Sequence, residues 1–124
     1  MRILAGFVCA LVVGAQEPTS WEELRAKGRT ALDNGQFGAA YPLLREALDV
    51  AQYLPKTDGR YFTSLRDMAE LSFALGRYDE AEPHLRLAVF FREQQVGKEH
   101  LSLYPDLEAL GYSYYARLMM PEAA

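Results

Sequence analysis

From Ser20 onward, apolar and small residues return at intervals of three and four, the spacing that lines one side of an α-helix. In "SWEELRAKGRTALDNG" the stripe is Trp21, Leu24, Gly28, Ala31 and Leu32. Ser20 with Glu23 three residues on makes a capping box, which satisfies free amides where a helix starts. Gly35 is placed to end the helix, because glycine enters the left-handed region without steric cost. A second stripe follows through Ala40, Leu43, Leu44, Ala47, Leu48 and Ala51, and Pro55, Asp58 and Gly59 mark a turn after it.

The same text then recurs. A shift of 41 residues brings Leu24 onto Leu65, Gly28 onto Ala69, Gly35 onto Gly76 and Phe37 onto Tyr78. It also superposes Ala40 on Ala81, Pro42 on Pro83, Leu44-Arg45 on Leu85-Arg86 and Ala47 on Ala88. A further shift of 42 carries Leu65, Met68 and Ala69 onto Leu107, Leu110 and Gly111. A fixed period of this length signals stacked supersecondary units. The pattern predicts an all-α chain of about five helices, two full helical hairpins plus one extra first helix. Within each hairpin Gly28 is expected to face Ala40, and Ala69 to face Ala81. Phe37 and Tyr78 are expected to fill the wedge beside the turn glycines, and Ala47 and Ala88 to admit the next unit. Tyr114 falls on a packing position, aligned with Ser72 and Ala31. The end "LMMPEAA" keeps the register of "LGRYDEA", with Met120 under Tyr78 and Ala123 under Ala81. The last helix carries Leu107, Leu110, Gly111, Tyr114 and Leu118 on stripes suited to two neighbours. An exposed apolar patch on that helix is therefore expected, relieved by self-association through it or by residues beyond Ala124 in a longer parent.

The turn glycine, the aromatic, the alanines and the proline, agreeing in two units, resemble the tetratricopeptide repeat family. The closer likeness is to its long-period, kinesin-light-chain-like branch, with "REQQVGKEH" standing where that branch has an extended linker. The resemblance covers about Trp21 to Ala123. It implies a tetratricopeptide-like solenoid, a right-handed superhelix of hairpins with a groove along its first helices. It also implies non-catalytic binding of a protein or peptide. In the family register Arg25, Arg29, Arg66, Glu70 and Phe73 lie on the groove face. Tyr112 and Tyr115 align with Glu70 and Phe73 and join them as candidate ligand-groove residues. Two readings of the arginines stand. Three cations along one face suit a carboxylate or an acidic peptide segment; alternatively they form a solvated face with pairs such as Arg66 and Glu70, four apart. The alternative function is structural, the chain being the N-terminal fragment of a longer repeat array.

Residues 1–15 do not belong to this pattern. "MRILAGFVCALVVGA" has a cation at Arg2, an apolar run from Ile3 to Val13, and small residues before the polar "QEPTS". This order describes a secretory signal peptide cut between Ala15 and Gln16; a short buried helix is the alternative. The run falls short of the roughly 20 residues a membrane span needs. Removing 15 of the 124 residues leaves 109, residues 16–124, one repeat domain exported to a periplasm or secreted, with no membrane span.

Charge and chemistry narrow the function. Arg2 is the only charge in the leader, so 12 of 13 basic and all 17 acidic residues remain, a net −5. An acidic domain without a clustered basic face is not expected to bind nucleic acid. Cys9 is the only cysteine and leaves with the leader, taking thiol chemistry with it. His84 and His100 stand sixteen apart with no partner at zinc-ligand spacing. No nucleophile elbow occurs, and Gly97-Lys98 lacks the earlier glycine of a phosphate loop. No enzyme activity, catalytic residue, metal site or cofactor is expected.

Overall fold

A computed structural model describes residues 20–119, and these residues are all-helical. Five helices follow one another: α1 (Trp21–Asp33), α2 (Phe37–Ala51), α3 (Gly59–Ala74), α4 (Tyr78–Val96) and α5 (Tyr104–Met119). A 3-10 turn, Leu101–Leu103, leads into α5. Each helix packs against the next in the chain, and α1 also touches α3. The expected signal peptide and the segment from Met120 onward lie outside the described residues.

The local rules set the helix ends. The Ser20 hydroxyl accepts from the Glu23 amide at 3.1 Å and donates to the Glu23 carboxylate at 3.2 Å, tying off α1. Both hairpin turns are built alike. After α1 the Gly35 amide donates to Leu32 and the Gln36 amide to Ala31, with Gly35 at φ 75°. After α3 the Gly76 amide donates to Phe73 and the Arg77 amide to Ser72, with Gly76 at φ 73°. This is the Schellman arrangement, which satisfies two free carbonyls and reverses the chain. Pro42 and Pro83 lie inside α2 and α4 and remove the amides that would bond one turn back. The segment "REQQV", expected in a linker, instead extends α4 to 19 residues, and Gly97 at φ 91° stops it.

The core has two parts joined by α3. Ala31 and Leu32 of α1, Ala40 and Leu44 of α2, and Met68 and Leu71 of α3 form the first, with Phe37 and Leu48 against it. Ala69, Ala81 and Leu85 form the second, flanked by Phe73, Ala109 and Leu110. Met68 and Ala69, neighbours in sequence, thus serve different clusters, as a helix packed on two sides requires. Ala69 and Ala81 fall in one cluster, as expected. At Gly28 the nearest neighbour is Leu44: a β-carbon on the glycine would stand 2.5 Å from Leu44 Cδ2 and 3.3 Å from the Leu44 backbone nitrogen. The leucine, one turn beyond the buried Ala40, folds over the glycine.

The last helix also departs from the expected packing. Asp106, Ser113 and Ala116 are its buried residues, while Tyr114 is 41% exposed. Tyr114 aligns with positions that α1 and α3 bury against their own hairpin partners. Among the described residues α5 has no such partner, so the tyrosine ring stays on the surface and its hydroxyl accepts from Arg86 Nε at 3.2 Å. Leu107 and Leu118 share that surface.

Candidate binding groove

The facing sides of α1, α3 and α5 enclose a cavity of about 490 Å³, with Leu85 of α4 contributing to it. Arg25, Arg29, Arg66, Glu70 and Phe73, the five groove candidates on α1 and α3, all line it. Tyr112 and Tyr115 do not. They continue from its edge as an aromatic row, with Tyr112 5.9 Å from Phe73 and Tyr115 6.3 Å from Tyr112 between ring centroids. Tyr78 packs edge-on to both Phe73 and Tyr112, at 5.2 and 5.5 Å. Burial first, and the neighbouring Tyr112 hydroxyl second, raise the Tyr78 phenol above its ordinary pKa.

The charges in the groove are paired across units rather than along a helix. Arg25 of α1 grips both oxygens of Asp67 on α3, from Nε at 2.6 Å and from Nη2 at 3.2 Å. Arg29 of α1 reaches Glu70 of α3 at 2.8 Å and Asp33 of its own helix at 3.0 Å, and touches Asp67 at 3.4 Å. The hydrogen bond to Glu70 chiefly raises the Arg29 pKa against the lowering effect of burial. Arg66 pairs with Asp106 of α5 through Nε at 2.6 Å, not with Glu70 four residues on. Arg25 and Arg66 occupy equivalent repeat positions, and both reach forward to the next first helix.

Asp67 and Asp106 are the residues that the sequence reading passed over. Their side chains are only 6% and 3% exposed, so the carboxylates sit under the guanidinium groups rather than beside them in solvent. Burial is the largest influence on Asp106 and raises its pKa, although Arg66 and Arg92 pull the other way. A signal was present. Asp67 falls among Ser64, Met68 and Leu71 on a buried helical stripe, and a carboxylate there needs a donor. Its donor lies 42 residues away, which helical spacing cannot identify. Trp21 adds a third link between the same helices, donating from Nε1 to the Ser64 hydroxyl at 2.7 Å.

Glu82 carries the corresponding load on the other side of α5. Buried on α4, it accepts from Arg86 of its own helix and from Arg117 of α5. The two histidines have local roles: His84 Nδ1 lies 3.0 Å from the Glu80 carbonyl, and His100 accepts from the Ser102 amide at the 3-10 turn. Among the described residues, no helix is long and apolar enough to cross a membrane. Comparison of the chain with protein-family models, with curated proteins and with solved structures gave no match.

Proposed function

We propose that this chain is a non-catalytic scaffold of tetratricopeptide-like hairpins, exported after loss of residues 1–15, that holds a protein or peptide segment in the groove of its first helices. The observation that carries the reading is the groove itself. Five side chains from two successive first helices, Arg25, Arg29, Arg66, Glu70 and Phe73, converge on one cavity of about 490 Å³. Its size lies in the range of about 300–1,000 Å³ in which protein clefts hold small ligands and peptide side chains. Inter-helix ion pairs fix the wall positions, so little ordering is needed on binding. The mechanism is recognition, without a change in covalent bonds.

Selection of peptides from a display library on the purified chain, followed by mapping of amide shifts, tests this. Selected peptides should perturb α1 and α3 around Arg25, Arg66 and Phe73. Perturbation confined to the outer side of α4, around Leu87 and Phe90, would move the binding face away from the groove.

A structural role in a longer array is the second reading, and one observation favours it. Leu107 of α5 is 46% exposed although the positions it repeats, Leu24 of α1 and Leu65 of α3, are each 1% exposed, and Leu118 further along α5 is 80% exposed.

A further inference from the structure

The three groove arginines are not equivalent, and their donors show which one is left for a ligand. Arg25 spends Nε and Nη2 on the two oxygens of Asp67. Arg29 spends both terminal nitrogens on Asp33, Asp67 and Glu70. Arg66 spends only Nε, on Asp106, and neither of its terminal nitrogens bonds to a described residue. Its side chain is 48% exposed, against 25% for Arg29. The guanidinium carbon lies 5.8 Å from the centre of the Phe62 ring, which shares the cavity wall with it. Asp106 thus holds one nitrogen of a planar cation that lines the cavity, and the two terminal nitrogens have no partner among the described residues.

From this donor count we infer that Arg66 is the single anion foothold of the groove, and that its ligand is an extended protein segment carrying a carboxylate or phosphate beside an apolar side chain. The free edge of a guanidinium donates two parallel N–H bonds and so matches the two oxygens of such a group. Phe62, Ala69, Phe73 and Ala109 supply the apolar wall next to it. Arg25 and Arg29 hold α1 to α3 and do not touch the anion. The inference rests on the groove being the binding face, and it names the ligand class which that face selects.

The test uses the purified chain and three capped octapeptides that differ only at one central position: aspartate, phosphoserine or asparagine, between leucines. Fluorescence anisotropy reads the affinity. The aspartate and phosphoserine peptides should bind and the asparagine peptide should bind roughly tenfold more weakly or not at all, the loss expected when a charge-assisted pair is removed. Whichever anionic peptide binds more tightly identifies the source of the oxyanion. Arg66→Gln combined with Asp106→Asn removes the foothold without leaving a buried charge unpaired, and should abolish the preference while the chain still melts cooperatively. Arg45→Gln combined with Asp49→Asn, an exposed pair along α2 outside the groove and also neutral in net charge, should leave the affinity within about twofold, since exposed charges are screened beyond about 10 Å. If the first pair leaves the preference intact, the foothold lies elsewhere in the groove and this inference falls while the groove reading stands. Equal binding of the asparagine peptide has the same consequence. Failure of all three peptides to bind the wild-type chain overturns both.

Discussion

At the scale of single residues, two glycines on equivalent helical stripes should respond oppositely to the same change. Gly→Ala inside a helix gains about 1 kcal/mol of propensity. At Gly28 the added carbon would lie 2.5 Å from the Leu44 side chain, and overpacking of that kind costs about 1–3 kcal/mol. At Gly111 it would meet nothing within 4 Å. Urea melts should therefore show Gly28→Ala neutral to destabilised by about 2 kcal/mol, and Gly111→Ala stabilised by about 0.5–1 kcal/mol. Equal shifts in the same direction would contradict the packing of Leu44 over Gly28.

Two aspartates at this scale oppose each other in pH. Asp58 caps α3 and is held at about 2, below its ordinary 3.8, chiefly by the Arg60 side chain and then by the Arg60 amide. Its stabilising effect is present above 3.8 and lost as the pH falls toward 2. Asp106 is raised by burial, so its contribution is greatest at low pH and fades as the pH rises through the elevated value. Asp106→Asn should therefore gain stability relative to wild type between pH 4 and pH 7. If the variant instead loses ground over that interval, the ion pair with Arg66 outweighs the burial of Asp106.

At the scale of elements, the hairpin turns were legible because their cause is local. A glycine at the same place in both units reports a positive φ, and Gly35 and Gly76 adopt one at 75° and 73°. Alanine at Gly76 would meet no neighbour, so only backbone strain acts, about 1–2 kcal/mol. Thermal melts of Gly76→Ala and Gly35→Ala should show similar losses, and Gly76→Asn a smaller one, since asparagine tolerates this region better. That Arg25, Arg29, Arg66, Glu70 and Phe73 line one cavity follows from the face that the resemblance to tetratricopeptide hairpins assigned them, which needs no knowledge of their partners. The ion pairs were not legible. Arg66 has Glu70 one turn away, yet bonds to Asp106, 40 residues on, because the distances between stacked helices are set by packing. Tyr114 shows the same limit in reverse. Its repeat position implies burial, but burial needs a facing helix, and that depends on what stands beside α5.

At the scale of the whole molecule, the first and last helices are unequally covered among the described residues. The outward stripe of α1 is covered by α2, and Leu24 and Ala31 are 1% and 6% exposed. The matching positions of α5, Leu107 and Tyr114, are 46% and 41% exposed, and Tyr104, Leu118 and Met119 of the same helix are 62%, 80% and 63% exposed. Exposed apolar surface, where contiguous, marks an interaction face or an aggregation liability. The net charge of −4 opposes association only weakly, because repulsion between exposed charges is screened beyond about 10 Å at 0.1 M salt. Added salt weakens that repulsion further and leaves the hydrophobic attraction intact. The chain is therefore expected to self-associate through α5, and to do so more strongly as salt rises. Light scattering across a concentration series at low and high salt measures this. Leu107→Glu with Leu118→Glu should keep the chain monomeric without lowering its melting temperature, because neither side chain contributes to the core. A wild-type chain that stays monomeric at high concentration and high salt would mean that something covers α5 within the single molecule. In that case both substitutions should destabilise the fold rather than leave it unchanged.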